Sequence, residues 1–403
     1  MIVNQKIPSL RFPEFDGEWE TRNFGDIATN KSGKYNPLKE TNSVKCIELE
    51  HLSSESSQLI DYIDGKNSGS IKNKFEKGDV LFGKLRPYLK KYLLAPFDGV
   101  CSSEIWVLKG INISNEFLFR IIQTDNFIDL ANQSSGSKMP RADWNLVKNG
   151  VFSFPSLPEQ TKIASFLTAV DDKLQALKHK LTLLEQYKKG VMQKIFAQEL
   201  RFKPSPIEAL EMGDEYPDWV EKKLGEVMSI RNEQATKSYD YPLMAFIQNI
   251  GVAPKGERYN REFLVNDGEN KKYKKTEYGD FIYSSNNLET GSIGLNRYGP
   301  ACISPVYSIF KVKKSFDFEF ISTYLVRKNF TKKMIKFRQG VVYGQWKIHE
   351  SEFLKIKEFI PSLNEQQKIA SFLSAIDEKI EKTTQQLTQT ETFKKGLLQQ
   401  LFV

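Results

Sequence analysis

Arginine, lysine, asparagine and glutamine set among aromatic residues can do one kind of chemistry without any cofactor. They hold phosphates and read the edges of bases. Arg and Lys donate paired hydrogen bonds to guanine O6 and N7, and Asn and Gln bond adenine N6 and N7. Such residues cluster twice in this chain. Residues 71–92 carry seven Lys/Arg (Lys72, Lys74, Lys77, Lys84, Arg86, Lys90, Lys91) against two acids, with Phe75, Tyr88 and Tyr92 among them. Residues 311–347 carry ten basic residues against two acids, with Phe330, Phe337, Tyr343 and Trp346. The candidate contacts of the first cluster are Lys84 and Arg86 in Gly83-Lys84-Leu85-Arg86-Pro87-Tyr88, with Lys90 and Lys91 beyond them and Lys138 and Arg141 further on. Those of the second half are Asn286 and Asn287 in Ser284-Ser285-Asn286-Asn287, then Arg338, Gln339, Tyr343, Gln345 and Lys347. Each of these side chains could instead touch a phosphate or simply face solvent. Trp144 and Trp346 are expected in core packing.

Catalytic patterns are missing. No Asn/Asp-Pro-Pro-Tyr/Phe motif is present, and Asn36-Pro37-Leu38 reads as a turn. No GxxxxGK[ST] loop occurs. Pro217-Asp218 followed by Glu221-Lys222-Lys223 imitates a nuclease signature, but the two parts stand too close together. His51, His179 and His349 are scattered, with no metal-ligand spacing. Neither a catalytic residue nor a metal site is expected.

The chain has 403 residues, 40% hydrophobic and 12% aromatic, with net charge +8. That is room for two globular regions with their own cores, and too apolar for disorder. No run of 18 apolar residues predicts a membrane span. The start, MIVNQKIPSLRFPEF, lacks a signal-peptide core. Cys46, Cys101 and Cys302 stand far apart without a pairing pattern, which fits a reducing, cytoplasmic setting.

The elements that must position these residues are written twice. Residues 154–196 and 360–402 align without a gap at an offset of 206, with 22 of 43 positions identical. Each copy opens on Pro-Ser-Leu, followed by Glu159-Gln160 or Glu365-Gln366 in a first helical turn. A 3-4-3-4 apolar spacing then follows, through Ile163, Leu167, Val170, Leu174, Leu177, Leu181, Leu184, Val191 and Ile195 in one copy. In the other it runs through Ile369, Leu373, Ile376, Ile380, Leu387, Leu397 and Leu401. Lys188 interrupts the first seam, and Thr383, Thr390 and Lys394 the second. Five or so heptads predict two coiled-coil helices, each about 60 Å long, paired antiparallel about a pseudo-twofold axis. Phe166 and Phe372 stand at equivalent points beside the seam.

Weaker echoes extend the duplication. Trp19 and Phe24-Gly25-Asp26-Ile27 match Trp219 and Leu224-Gly225-Glu226-Val227. Gly78-Asp79-Val80-Leu81-Phe82 matches Gly279-Asp280-Phe281-Ile282-Tyr283, and Cys101 matches Cys302. The regions between helices show short strands at Val44–Leu49, Val80–Phe82, Ile105–Leu108, Phe281–Tyr283 and Tyr307–Val312, with helical patterns over 115–126 and 318–330. That is a mixed α/β fold. Two prolines predict an extended linker near Phe202-Lys203-Pro204-Ser205-Pro206.

The Pro155–Leu167 element, its repeat at Pro361–Leu373, and the upstream glycine loops at 135–141 and 338–345 resemble the specificity subunit of type I restriction–modification systems. The resemblance covers the whole chain. It implies two mixed α/β target recognition domains (1–154 and 204–360) separated by paired antiparallel helices (155–203 and 361–403). Each domain would read half of a split sequence in double-stranded DNA, and the helices would fix the unread spacer. The chain itself would bind no cofactor. Two modification subunits, docked on the helices, would bring S-adenosylmethionine and methylate adenine at N6. Restriction subunits would bring ATP- and Mg2+-dependent translocation and cleavage. Two other readings stay open: a self-contained DNA methyltransferase or nuclease, against which the missing motifs weigh, and a scaffold with two protein-binding heads, which would not need paired basic clusters.

Overall fold

A computed structural model describes residues 7–40, 42–133, 139–248, 250–254, 271–342 and 345–403. The chain forms two compact units. One combines residues 1–181 with 382–403, and the other spans 182–381. Each unit takes in part of both long helices.

In the first unit, Glu20–Asn23 runs antiparallel to Val151–Phe154 and ties the start of the unit to the strand before the first long helix. A four-stranded sheet takes the order Ala28–Thr29, Ile105–Gly110, Val80–Gly83, Tyr92–Leu94. A second sheet has five short strands and one parallel pairing, Cys46 beside Val100. Helices Asn115–Ile121 and Asp125–Asn132 start at Ser114 and Thr124, whose hydroxyls cap Phe117 N and Phe127 N. Phe24, Phe82, Phe117 and Phe127 are fully buried among them.

The second unit repeats this plan. Val220–Lys223 pairs with Lys357–Ile360. The four-stranded sheet runs Met228–Ile230, Ser308–Val312, Asp280–Tyr283, Ile293–Leu295. Helices Phe318–Leu325 and Lys328–Ile335 take the places of the first unit's pair. The helical patterns over 115–126 and 318–330 each fall on a pair of short helices, and the mixed α/β class holds in both units. Cys101 and Cys302 lie on matching strands and are buried free thiols.

The long helices span Leu157–Phe196 and Leu363–Gln400. In the first unit, Ile163, Leu167, Val170 and Leu174 share one core with Leu397 and Leu401, so the N-terminal part of one helix lies against the C-terminal part of the other, antiparallel. In the second unit, Ile369, Leu373 and Ile376 share a core with Ile195. The seam residues named as interruptions are part of it. Thr383 and Thr390 are buried, and the Thr390 hydroxyl donates to Gln386 O of its own helix, which satisfies it. Lys394 pairs with Asp171 at 2.7 Å and Lys188 with Asp377 at 2.5 Å, the same pair by the offset of 206. No helix among the described residues is long and apolar enough to cross a membrane.

The linker is free of helix and strand through Ser205, whose backbone is extended as expected, and a short helix follows it. Pro206–Met212 is a short helix, because Ser205 and Glu208 form a capping box and Pro206 occupies the first helical position, where no N–H is needed.

Candidate nucleic-acid interface

The repeated Pro-Ser-Leu-x-Glu-Gln element opens each helix by tying it to the unit behind it. Glu159 and Glu365 are almost fully buried. Glu159 takes a two-pronged ion pair from Arg11 at 2.8 and 2.7 Å and a bond from Trp19 Nε1 at 3.3 Å. Glu365 takes the same grip from Arg201 at 3.1 and 2.8 Å. These hydrogen bonds hold both guanidinium groups above their ordinary pKa. Gln160 accepts from Ser114 N and donates to Pro155 O, and Gln366 accepts from Asp317 N and donates to Pro361 O. Phe166 and Phe372 pack on Phe12 and Phe202 at 5.7 and 5.3 Å. Arg11 and Arg201 escaped the sequence reading, although Leu-Arg-Phe occurs at both 10–12 and 200–202.

This scaffold presents one loop per unit at the same end of the same strand. In the first unit the loop follows Val80–Gly83. Lys84 N donates to Glu104 O, Ala142 N to Lys84 O, and Arg86 N to Pro140 O, so Leu85 bridges Arg141. Lys84, Arg86 and Arg141 are thereby brought together. Arg86 is exposed and takes a left-handed backbone, φ 53° and ψ 62°, as does Lys90 at φ 49° and ψ 48°. A non-glycine residue held there costs about 1–2 kcal/mol. Lys84 and Arg86 form no ion pair among the described residues, whereas Arg141 Nε meets Glu104 at 3.0 Å. Tyr88 stands half-exposed beside them.

Four of the other basic residues of 71–92 have partners within the unit. Lys72 is buried on Glu48 at 2.6 Å, Lys74 meets Glu40, and Lys91 donates to Leu49 O at 2.6 Å. Lys90 faces Asp125 at 3.8 Å. Lys138 lies outside the described residues.

In the second unit the loop follows Asp280–Tyr283. Asn287 is exposed and Asn286 half-buried. The Asn286 Oδ1 atom is buried without a partner among the described residues. Ile348 N donates to Ser285 Oγ at 3.0 Å, which brings the end of the strand Gln345–Lys347 to the same loop. Gln339 pairs in register with Lys347, and both are exposed. Arg338 reaches the loop as well, through a two-pronged ion pair with Glu289. That bond holds the Glu289 carboxyl below its ordinary pKa. Gln345 has its backbone described but not its side chain, and Tyr343 lies outside the described residues. Trp144 packs on Phe24 and Trp106, as expected of a core residue; the Trp346 side chain is not among those described.

A cleft in the first unit, about 680 Å³, is lined by none of Lys84, Arg86 and Arg141, and Lys90 stands at its edge. Its charges answer one another, Asp171 with Arg120 and Lys394, and Lys178 with Glu391.

Comparison with known proteins agrees with this plan. Residues 16–186 and 216–391 each match the type I restriction modification DNA specificity domain. The type I restriction enzyme EcoDI specificity subunit of Escherichia coli is 29% identical over 163 residues, which are 40% of this chain and 35% of that protein. The MjaVIII specificity subunit of Methanocaldococcus jannaschii is 28% identical over 283 residues, 67% of this chain and 65% of that one. The fold is similar to that of the type I restriction–modification S subunit from M. genitalium, with a TM-score of 0.58, 15% identity, and 98% and 99% of the two chains covered. A chain solved in a study of type I complex assembly gives a TM-score of 0.55 at 19% identity, with 94% and 96% covered. With both halves matched separately and the repeated frame explained residue by residue, the chain belongs to the type I restriction–modification DNA specificity family.

Proposed function

We propose that this chain is the sequence-reading, non-catalytic subunit of a type I restriction–modification complex. Each unit reads one half of a bipartite target in double-stranded DNA. Partner modification subunits bring S-adenosylmethionine and methylate adenine at N6, and restriction subunits bring ATP- and Mg2+-dependent cleavage. The two long helices, continuous through both units, set the length of the unread spacer.

One observation carries this reading. The same strand of the same sheet ends in both units in a loop of nucleic-acid-binding residue types, yet the residues differ. Lys84, Arg86 and Arg141 gather in one, and Asn286, Asn287, Gln339 and Lys347 in the other. A frame copied nearly unchanged that carries different side chains at its tips suits two readers of different sequences. Arginine and lysine suit guanine, and amides suit adenine.

The test is reconstitution with the modification subunits, followed by mapping of N6-methyladenine across a genome. A single two-part motif with a fixed gap is expected. Methyl transfer by a preparation of this chain free of any second subunit would refute the non-catalytic assignment. Affinity of the complex for target DNA should fall steeply with salt, as phosphate contacts release counterions. A scaffold with protein-binding heads would show no such fall.

A further inference from the structure

The arginine favoured by sequence in the second unit is not the group that faces outward. The Arg338 side chain is 9% exposed, while that of Glu289, which it grips, is 51% exposed. Nη1 meets Oε1 at 2.5 Å and Nη2 meets Oε2 at 2.6 Å. An approaching ligand therefore meets a carboxylate whose charge is balanced from beneath. Glu289 stands two residues after exposed Asn287 in the loop that follows Asp280–Tyr283. The loop is pinned on both sides. Thr290 Oγ1 donates to Asn287 O and accepts from Gln248 Nε2, and Ser292 N donates to Asn287 O.

A bare carboxylate beside DNA is repelled by the phosphates. One neutralised by a buried guanidinium is not, and it keeps its direction. Each Glu289 oxygen has one lone pair engaged by Arg338 and one left over. A carboxylate can only accept, so in the major groove it suits cytosine N4–H and adenine N6–H. Guanine O6 and thymine O4, themselves acceptors, would be repelled. We propose that Glu289 is a specificity-determining residue of the second unit, its carboxylate accepting from the exocyclic amino group of a cytosine or adenine, with Arg338 the positioning residue that holds it. The inference rests on the DNA-reading function proposed above and assigns the contact to a residue and a base class.

The test uses the complete complex with wild-type chain, Glu289→Ala, Glu289→Gln and Arg338→Lys. Binding is measured on duplexes in which each base pair of the wild-type target is varied in turn. Glu289→Ala should lose roughly 5- to 150-fold discrimination at one position of one half-site, with every other position unchanged. Glu289→Gln keeps the shape but can also donate, so it should admit guanine or thymine at that position. Arg338→Lys loses the two-pronged grip and should relax the same position by less. A wild-type complex without bipartite preference would refute the DNA-reading function itself. A selective wild type whose Glu289→Ala and Glu289→Gln variants keep its ratios at every position would overturn only the role of Glu289. Uniformly tighter binding by Glu289→Ala with unchanged ratios would also overturn it, because it would make Glu289 a charge and not a reader.

Discussion

Arg201 grips Glu365 with both arms of its guanidinium, at 3.1 and 2.8 Å, and the glutamate is 1% exposed. The segment after one long helix thus anchors the start of the other. Glu365→Ala would leave a partly buried arginine without its carboxylate, at a cost of about 2–3 kcal/mol once the quarter exposure of Arg201 is allowed for. Glu365→Gln keeps an acceptor and should lose less. Urea unfolding of the full chain checks both; equal midpoints for wild type and Glu365→Ala would show that the pair contributes nothing.

Asp171 is shared by Arg120 and Lys394, at 2.5 and 2.7 Å. Asp171→Asn would leave two buried cations side by side and should cost about 3–5 kcal/mol. Lys394→Met leaves Asp171 its arginine and should be neutral or slightly stabilising. Burial holds Lys394 below its ordinary pKa of 10.5. The unfolded chain therefore binds that proton at pH values where the folded chain has released it, and stability from this group rises as pH climbs toward 10.5. Lys394→Met should abolish that rise. Denaturation midpoints measured between pH 8 and 10.5 decide the matter; the same slope in both proteins would show that Lys394 is not its source.

Arg86 occupies a backbone region that glycine adopts freely. Arg86→Gly should relieve strain and stabilise the chain by about 1 kcal/mol. It should weaken binding to one half-site only, by about 1–3 kcal/mol if a base contact is lost. Loss of a phosphate contact would instead weaken all sequences evenly and reduce the salt slope. Thermal unfolding and half-site binding, measured on the same preparation, separate the two effects. Unchanged binding to both half-sites would remove Arg86 from the interface.

Lys178 faces Glu391 at 3.3 Å, which identifies opposing positions of the two helices. Four residues inserted after each should lengthen the pair by about 6 Å, close to two base-pair steps. The seam phase shifts by half a heptad, so some stability is lost. The half-sites should stay the same while the preferred spacer grows by one or two base pairs. The methylation motif of the assembled variant reads this out, and an unchanged gap would mean that the helices do not set it.

The repeat, the seam and the mixed α/β class were legible because each is a local pattern. Periodicity puts Leu167 and Leu373 in the core without knowledge of their partners. The roles of Glu159 and Lys91 were not legible. Glu159 is matched by Arg11, 148 residues away, and Lys91 is spent on Leu49 O, 42 residues away. A basic cluster in sequence is a basic surface only if distant acids and carbonyls leave it alone, and Glu48, Glu40 and Asp125 do not. Ser205, Pro206 and Glu208 announce the short helix locally, through a capping box and a first-turn proline that need no distant partner.

The division of the long helices between the units has a consequence for biosynthesis. The second unit is one unbroken stretch of chain, residues 182–381, whereas the first needs residues 382–403 to complete its core. At translation rates of 5–20 residues per second, the early segment must wait roughly 10–45 s for the helix that covers Ile163 and Leu167. The half that leaves the ribosome first is therefore the half that finishes folding last, and during that interval its apolar helix face is the surface most in need of a chaperone.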